Sequence, residues 1–141
     1  MVNVELVRDM DHPADKVWAV MEDFGNMAWT GAPDVEVVGE GIGMIRKVVM
    51  EGMDPIEEVL ETMDPANMSF TYTIPRGLPL PVTDYRSGCR VERRDDGTAR
   101  VFWTCTCTPT DESMSAADVQ ALLEGTYSGM LDGLDAYLSA A

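Results

Sequence analysis

SAADVQALLEGTYSGMLDGLDAYLSAA, residues 115–141, is the stretch that decides the fold, because it predicts one long C-terminal helix. Ser115 with Asp118 three residues later forms a variant of the capping box that begins many helices. Apolar residues then recur at helical spacing, with no proline between them: Val119, Leu122, Leu123, Met130, Leu134, Tyr137 and Leu138. At 1.5 Å per residue this helix would extend about 39 Å, the width of a small domain.

Small residues recur at every fourth position of this helix: Ala121, Gly125, Gly129 and Gly133. Each glycine in a helix interior costs about 1 kcal/mol relative to alanine, so the missing side chains must serve a purpose. Two explanations are open: another element packs very close, or the helix forms one wall of a space that is kept open. Because the preceding residues have the pattern of strands, we expect a sheet wrapped around this helix.

The first part of the chain predicts one strand followed by two short helices. Residues 2–10 alternate between apolar and polar side chains, as a half-buried strand does. Pro13 and Gly25 delimit a short amphipathic helix, because proline suits a helix start and glycine a helix end. Residues 26–30 predict a second helical turn, which carries Trp29.

From residue 35 onward the apolar period changes to two, which predicts six further strands separated by short turns. These strands are residues 35–38, 44–51, 56–63, 68–74, 82–93 and 100–108. Short turns join antiparallel neighbours. We therefore predict an α+β fold in which a curved, antiparallel, seven-stranded sheet surrounds the C-terminal helix and two short helices follow the first strand. A length of 141 residues fits a single domain, residues 1–141.

Composition excludes several classes of partner and cofactor. The formal net charge is -15 and the basic residues are scattered, so nucleic acids and anionic membrane surfaces are not expected partners. The apolar runs are too short for stable membrane insertion. Three cysteines without a CxxC pair or a secretion signal favour reduced thiols in the cytoplasm. His12 is the only histidine, and Cys105 and Cys107 alone are too few ligands for zinc, so no metal is expected.

A series of motifs covers essentially the whole chain in a fixed order. They are Pro13 with Val17, Trp18, Phe24 and Trp29; Gly41-Ile42-Gly43 with Arg46; Glu58-Val59-Leu60 with Asp64; Tyr72-Thr73-Ile74 with GLPLP at 77–81 and Tyr85; Val101 with Trp103; and Gly133-Leu134. Together they resemble the SRPBCC superfamily of helix-grip proteins, which includes START lipid-transfer domains, birch-pollen-type allergens and polyketide cyclase/dehydrase proteins. The resemblance implies a cavity between the sheet and the C-terminal helix that holds an apolar or amphipathic small molecule. In that cavity the row of glycines would keep the roof thin.

Polar side chains on otherwise apolar strand faces are the candidates for a site. Strict alternation places Arg46 on one face with Met50, and places Glu58 on the apolar face of the next strand. If both faces point inward, the two charges should pair, because an isolated buried charge is very costly. A purely structural salt bridge and an outward-facing Arg46 are the alternatives. The candidate ligand-binding residues are Trp29, Arg46, Met50, Glu58, Tyr72, Tyr85, Trp103, Tyr127 and Met130.

Three functions fit these residues, and a plain core role fits the aromatic ones equally well. The first is a carrier or sensor that binds a hydrophobic small molecule, lipid or polyketide-like, as a monomer or homodimer. The second is a polyketide cyclase/dehydratase-type enzyme without metal or nucleotide cofactor, in which Arg46 and Tyr85 polarise a carbonyl and Glu58 moves a proton. The third is a structural or partner-binding protein whose cavity is filled by its own methionines. A single histidine favours binding over catalysis.

Overall fold

The computed structural model describes residues 1–31, 34–49 and 51–140. Met50, one of the predicted ligand-binding residues, lies outside these ranges. Along the described ranges the elements are β1 (Val2–Pro13), α1 (Ala14–Glu22), a 3-10 turn (Ala28–Thr30), β2 (Asp34–Val38), β3 (Ile45–Val49), β4 (Ile56–Asp64), a second 3-10 turn (Pro65–Asn67), β5 (Ser69–Arg76), β6 (Val82–Arg93), β7 (Thr98–Pro109) and α2 (Ala116–Ala140).

The seven strands of the described residues form one sheet in the order β1-β7-β6-β5-β4-β3-β2, and every neighbouring pair is antiparallel. Strands β2 to β7 follow one another as a meander, and β1 adds to the far side of β7. The predicted α+β, seven-stranded helix-grip fold is therefore confirmed. The two predicted short helices are α1 and the 3-10 turn that carries Trp29.

Helix α2 lies along β1 and is fixed there by polar contacts at its C-terminal half. Its start is capped as the sequence predicts, since Ser115 Oγ accepts a hydrogen bond from the Asp118 amide at 3.0 Å. Arg8 of β1 donates to the Asp132 carboxylate at 2.5 Å and to Ser128 Oγ at 2.6 Å. The buried stripe of the helix comprises Val119, Leu123, Tyr127, Leu131 and Leu134.

The row of glycines does not form the roof of a cavity, so that expectation is wrong. Gly125 and Gly129 are exposed, and a side chain added at either position would meet no atom within 4 Å. Each lies two residues from Tyr127, which places it about 200° around the helix from the buried stripe. Gly133 has a different role, because a Cβ there would lie 2.8 Å from the carbonyl oxygen of Trp29. Close packing therefore explains Gly133, against the 3-10 turn rather than the sheet.

Candidate ligand-binding site

Arg46 and Glu58 form an ion pair inside the fold. The two residues face each other directly in the register of β3 and β4, and Arg46 Nε lies 2.5 Å from Glu58 Oε1. Arg46 is 3% exposed and Glu58 is 9% exposed, so the alternative of an outward-facing arginine is excluded. Arg46 Nη1 also donates a hydrogen bond to the carbonyl oxygen of Phe24 at 2.9 Å. The pair thus joins the sheet to the segment that follows α1.

Two aromatic rings enclose the guanidinium group of Arg46. Its Cζ atom lies 3.9 Å from the centroid of the Phe24 ring and 5.1 Å from that of Tyr72. A cation over an aromatic face is stabilised by the ring quadrupole, and more strongly when water is excluded. With Glu58, the Phe24 carbonyl and two rings around it, Arg46 is held in place by its neighbours on several sides.

A second polar contact joins the sheet to α2 in the interior. The hydroxyl groups of Tyr85 on β6 and Tyr127 on α2 form a buried hydrogen bond. Trp103 of β7 stacks on Tyr127, with ring centroids 4.8 Å apart and an interplanar angle of 12°. The indole Nε1 of Trp103 donates to Ser87 Oγ at 2.9 Å, and that hydroxyl donates to the carbonyl oxygen of Thr104 at 2.8 Å. Polar groups that the fold buries here are therefore paired.

Burial sets the protonation states of the interior. It raises the pKa of Tyr72 and Tyr85, and it does the same for Tyr127, so all three hydroxyl groups are neutral and can donate hydrogen bonds. Burial also raises the pKa of the Cys89 thiol, and it raises the pKa of Cys107 to about 11. Because the thiolate is the reactive form, these cysteines remain unreactive at neutral pH.

Six rings connect these groups through the space between the sheet and the helix, and we call them the aromatic chain. In order, they are Phe24, Tyr72, Tyr85, Tyr127, Trp103 and Trp29. Trp29 is buried, with its ring centroid 6.4 Å from that of Trp103. Met130 is half-buried and packs against the same core. The interior therefore holds these aromatic rings together with buried methionines such as Met10 and Met21.

The sheet opens between β5 and β6. Their pairing ends at Thr73 and Arg86, although β5 continues to Arg76. A bulge in β6 at the same level places Asp84 at a φ of 54°, a conformation that few residues other than glycine adopt. The resulting β5–β6 groove encloses about 470 Å³. It is lined by Thr73, Ile74, Pro75, Val82, Thr83, Asp84, Tyr85, Arg86 and Thr106.

Most of the predicted site residues therefore lie together, but the groove beside them was not predicted. Trp29, Tyr72, Tyr85, Trp103 and Tyr127 belong to the aromatic chain, and the Arg46–Glu58 pair lies beside it. Sequence reasoning missed Ser87, although a hydroxyl at an inward position of an apolar strand is a signal that can be read. It also missed the groove threonines, which carry no signal because outward-facing threonines are ordinary in strands.

In the part of the chain that the structure describes, no group of three or more His, Cys, Asp or Glu side chains is arranged to hold a metal ion. Neither helix within the described ranges combines the length and the apolar character that a membrane span requires.

Comparison with known proteins places this fold in a family. A family model described as polyketide cyclase / dehydrase and lipid transport matches residues 1–139. The chain belongs to this family. The resemblance to SRPBCC proteins that its motifs indicated is thereby confirmed. A search of curated proteins returned no significant match.

Solved structures of several other proteins share this fold. Protein XoxI from Bacillus cereus is 25% identical, with a TM-score of 0.85 over 97% of this chain and 95% of that one. Norcoclaurine synthase from Thalictrum flavum, solved with dopamine and hydroxybenzaldehyde, is 16% identical, with a TM-score of 0.77 over 98% of this chain and 86% of that one. Ara h 8.0201 is also 16% identical, with a TM-score of 0.80 over 99% of this chain and 98% of that one. At 16% identity the likeness shows the fold alone.

Proposed function

We propose that this protein binds a hydrophobic or amphipathic small molecule, lipid or polyketide-like, and acts as a carrier or sensor. The observation that carries the proposal is the contact between the β5–β6 groove and the interior: Tyr85 lines the groove and bonds through its hydroxyl to Tyr127 of α2. A groove of about 470 Å³ lies within the range of about 300–1,000 Å³ that holds small ligands. Membership of a family that includes lipid-transport proteins supports the same proposal.

The lining of the groove suits a molecule with one polar and one apolar end. Hydroxyl groups of Thr73, Thr83 and Thr106 offer hydrogen bonds to a ligand headgroup near the surface. Ile74 and Val82 offer apolar contact in the same groove. The headgroup therefore binds near the threonines, and the apolar end points towards the aromatic chain.

The Tyr85–Tyr127 hydrogen bond controls how far such a ligand can enter. It closes the way from the groove into the space between sheet and helix, because it joins a strand at the groove to the helix on the opposite side. A ligand that carries a hydroxyl or carbonyl group can replace this bond without leaving a buried hydroxyl unpaired. A pure hydrocarbon cannot, which favours an amphipathic ligand over an alkane.

The enzyme alternative, a cyclase or dehydratase, rests on the Arg46–Glu58 pair beside Tyr72. An arginine and a carboxylate next to a neutral tyrosine are groups that can polarise a carbonyl and move a proton. However, Arg46 is already held by Glu58 and by the Phe24 carbonyl, and its face is covered by rings. A substrate would have to displace these contacts, so the geometry favours binding over turnover.

Fluorescence titration with N-phenyl-1-naphthylamine, an uncharged apolar probe, tests the binding function. Thr106→Trp fills the groove from an exposed position, so the variant should fold and bind the probe roughly tenfold or more weakly, equivalent to about 1.4 kcal/mol. Thr126→Trp on the exposed face of α2 is the matched control and should bind as the wild type does. Equal affinity of all three proteins would reject the β5–β6 groove as the site.

A second pair of variants tests the role of the tyrosine contact. Tyr85→Phe removes the hydroxyl that bonds to Tyr127 and keeps the ring, so we expect altered affinity for an amphipathic ligand such as a long-chain alcohol. Tyr137→Phe, at an exposed position of α2, which also carries Tyr127, is the control.

To test the enzyme alternative, a poly-β-ketone substrate is incubated with the wild type and with Glu58→Gln. Product from the wild type alone would favour the enzyme over the carrier.

A further inference from the structure

A second groove lies beside the C-terminal end of α1, and none of its lining residues belongs to the β5–β6 groove. It encloses about 440 Å³ between α1, the turn that joins β2 to β3, and β4. We call it the α1–hairpin groove. Its apolar lining comes from Phe24, Ile42, Met44, Leu60 and Met63. Its volume, like that of the first groove, lies in the range of about 300–1,000 Å³ typical of small-molecule sites.

The apolar wall of this groove is held by the backbone. Gly43 N–H donates to the carbonyl oxygen of Leu60 at 2.8 Å, and Leu60 N–H donates to the carbonyl oxygen of Met44 at 3.0 Å. These bonds fasten the turn to β4, so Ile42 is presented at a defined position even though it is 62% exposed. Met44 and Met63 are half-buried, and their flexible thioethers can adapt to ligands of different shape.

The rim of the groove is acidic, and its charges are poorly placed for the protein alone. Glu22 is the last residue of α1 and Asp23 is its C-cap, and the last turn of the helix contains no basic residue. A carboxylate at the negative end of a helix dipole is unfavourable. Among the described residues neither side chain forms an ion pair, and the nearby Arg46, which binds the Phe24 carbonyl, is already paired with Glu58. A cation at this rim would therefore relieve two unfavourable charges at once.

We propose that the α1–hairpin groove binds an amphiphilic cation, an ammonium group attached to an apolar body. The apolar body covers Ile42, Met44 and Met63, and the ammonium group pairs with Glu22 and Asp23. The formal net charge of -15 attracts such a molecule from solution and repels its anionic counterpart. This site is separate from the one proposed above and would serve a ligand of different chemistry.

Three probes with the same eight-carbon chain test the proposal: octylamine, octanol and octanoate, which are cationic, neutral and anionic at neutral pH. Isothermal titration calorimetry at low salt should give the tightest binding for octylamine and the weakest for octanoate. The variant Glu22→Gln/Asp23→Asn should bind octylamine about fivefold more weakly, since exposed ion pairs contribute modestly, and should bind octanol unchanged. Asp95→Asn/Glu112→Gln removes the same net charge at exposed positions elsewhere and should bind octylamine as the wild type does.

A third variant separates this groove from the β5–β6 groove. Ile42→Ser removes exposed apolar surface and should weaken the binding of octylamine, whereas Thr106→Trp should leave the binding of octylamine unchanged. The proposal is overturned if octanoate binds as tightly as octylamine, if the distant double variant weakens octylamine binding equally, or if Thr106→Trp and not Ile42→Ser abolishes the binding of octylamine. Such a failure leaves the β5–β6 groove untouched, because that site is tested with an uncharged probe.

Discussion

The two halves of the sheet are covered to very different extents. On β7, Val101, Trp103 and Cys105 are almost completely enclosed, as is Leu131 of α2, which lies along β1 on the same side. At the other edge of the sheet, the β2–β3 hairpin exposes large apolar side chains to solvent. These are Val37 at 45%, Val38 at 43%, Ile42 at 62% and Val49 at 36%.

The difference follows from the dimensions of the elements. Six spacings between strands make a seven-stranded sheet about 29 Å wide, whereas a helix with its side chains is about 10–12 Å across. One long helix therefore covers less than half of the sheet. In this protein α1, the 3-10 turn and the aromatic chain cover the middle, and the hairpin edge remains open. The α1–hairpin groove lies at this open edge, whereas the β5–β6 groove borders the closed half through Tyr85 and Thr106.

The largest expected effect tests whether the open half depends on its ion pair. Arg46→Met leaves Glu58 buried without a partner, so we expect a loss of about 3–5 kcal/mol in the free energy of unfolding. Arg46→Met/Glu58→Leu should recover most of that loss, because no charge remains buried. Arg90→Met, which breaks an exposed pair with Glu92 and a contact with the Phe102 ring, should cost less than about 2 kcal/mol. Urea denaturation measures all three, and equal losses for Arg46→Met and Arg90→Met would contradict the proposed dependence.

The next effect compares the two halves directly. Leu131→Ala opens a cavity under α2 in the closed half and should destabilise the protein by about 2–5 kcal/mol. Val38→Ala at the open edge should change the free energy of unfolding by no more than about 0.5 kcal/mol. Urea denaturation gives both values from the shift in midpoint, if the slope of the unfolding free energy against urea concentration stays the same. Similar losses at the two sites would mean that the hairpin edge is covered in solution, for example by a second copy of the chain.

Two glycines of α2 should respond to alanine with opposite signs. Gly133→Ala forces a methyl group against the Trp29 carbonyl, so we expect a loss of about 1–3 kcal/mol from overpacking. Gly129→Ala adds a methyl group where nothing lies within 4 Å and should stabilise the helix by about 1 kcal/mol. Melting temperatures determine the signs. A destabilised Gly129→Ala variant would restore a packing or cavity role for that position.

The smallest effect concerns acid stability at the closed half. A hydrogen bond from Arg100 is the main cause of the lowered pKa of Asp9. Since the pKa is lower in the folded state, this contribution to stability is present above the unfolded pKa of about 3.9 and is lost as pH falls through the folded value. Asp9→Asn should therefore flatten the decline of stability on acidification below about pH 4, and only slightly, because the residue is exposed. Thermal melts recorded as a function of pH, at low and at high salt, measure this decline for the wild type and the variant. An unchanged decline would show that the Asp9–Arg100 pair contributes nothing to acid stability.

Local pattern was sufficient for much of this structure. Alternation along β3 and β4 predicted that Arg46 and Glu58 would pair if their faces point inward, and the tertiary structure decided that both faces do. Ser115 and the apolar spacing after it located α2 within a residue of its observed start. The misread glycines were readable too, since a residue two positions from a buried tyrosine must lie on the far side of a helix.

The sequence by itself therefore determined the type and order of the elements and the antiparallel meander, because each depends on a short-range period. Only the tertiary structure decided that Tyr85 would bond to Tyr127, 42 residues away, and that aromatic rings would fill the interior. It alone also decided where β5 separates from β6 and which edge of the sheet stays bare. These features depend on which elements, far apart in the sequence, pack on which part of the sheet. The spacing of apolar residues within one element contains no information about that packing.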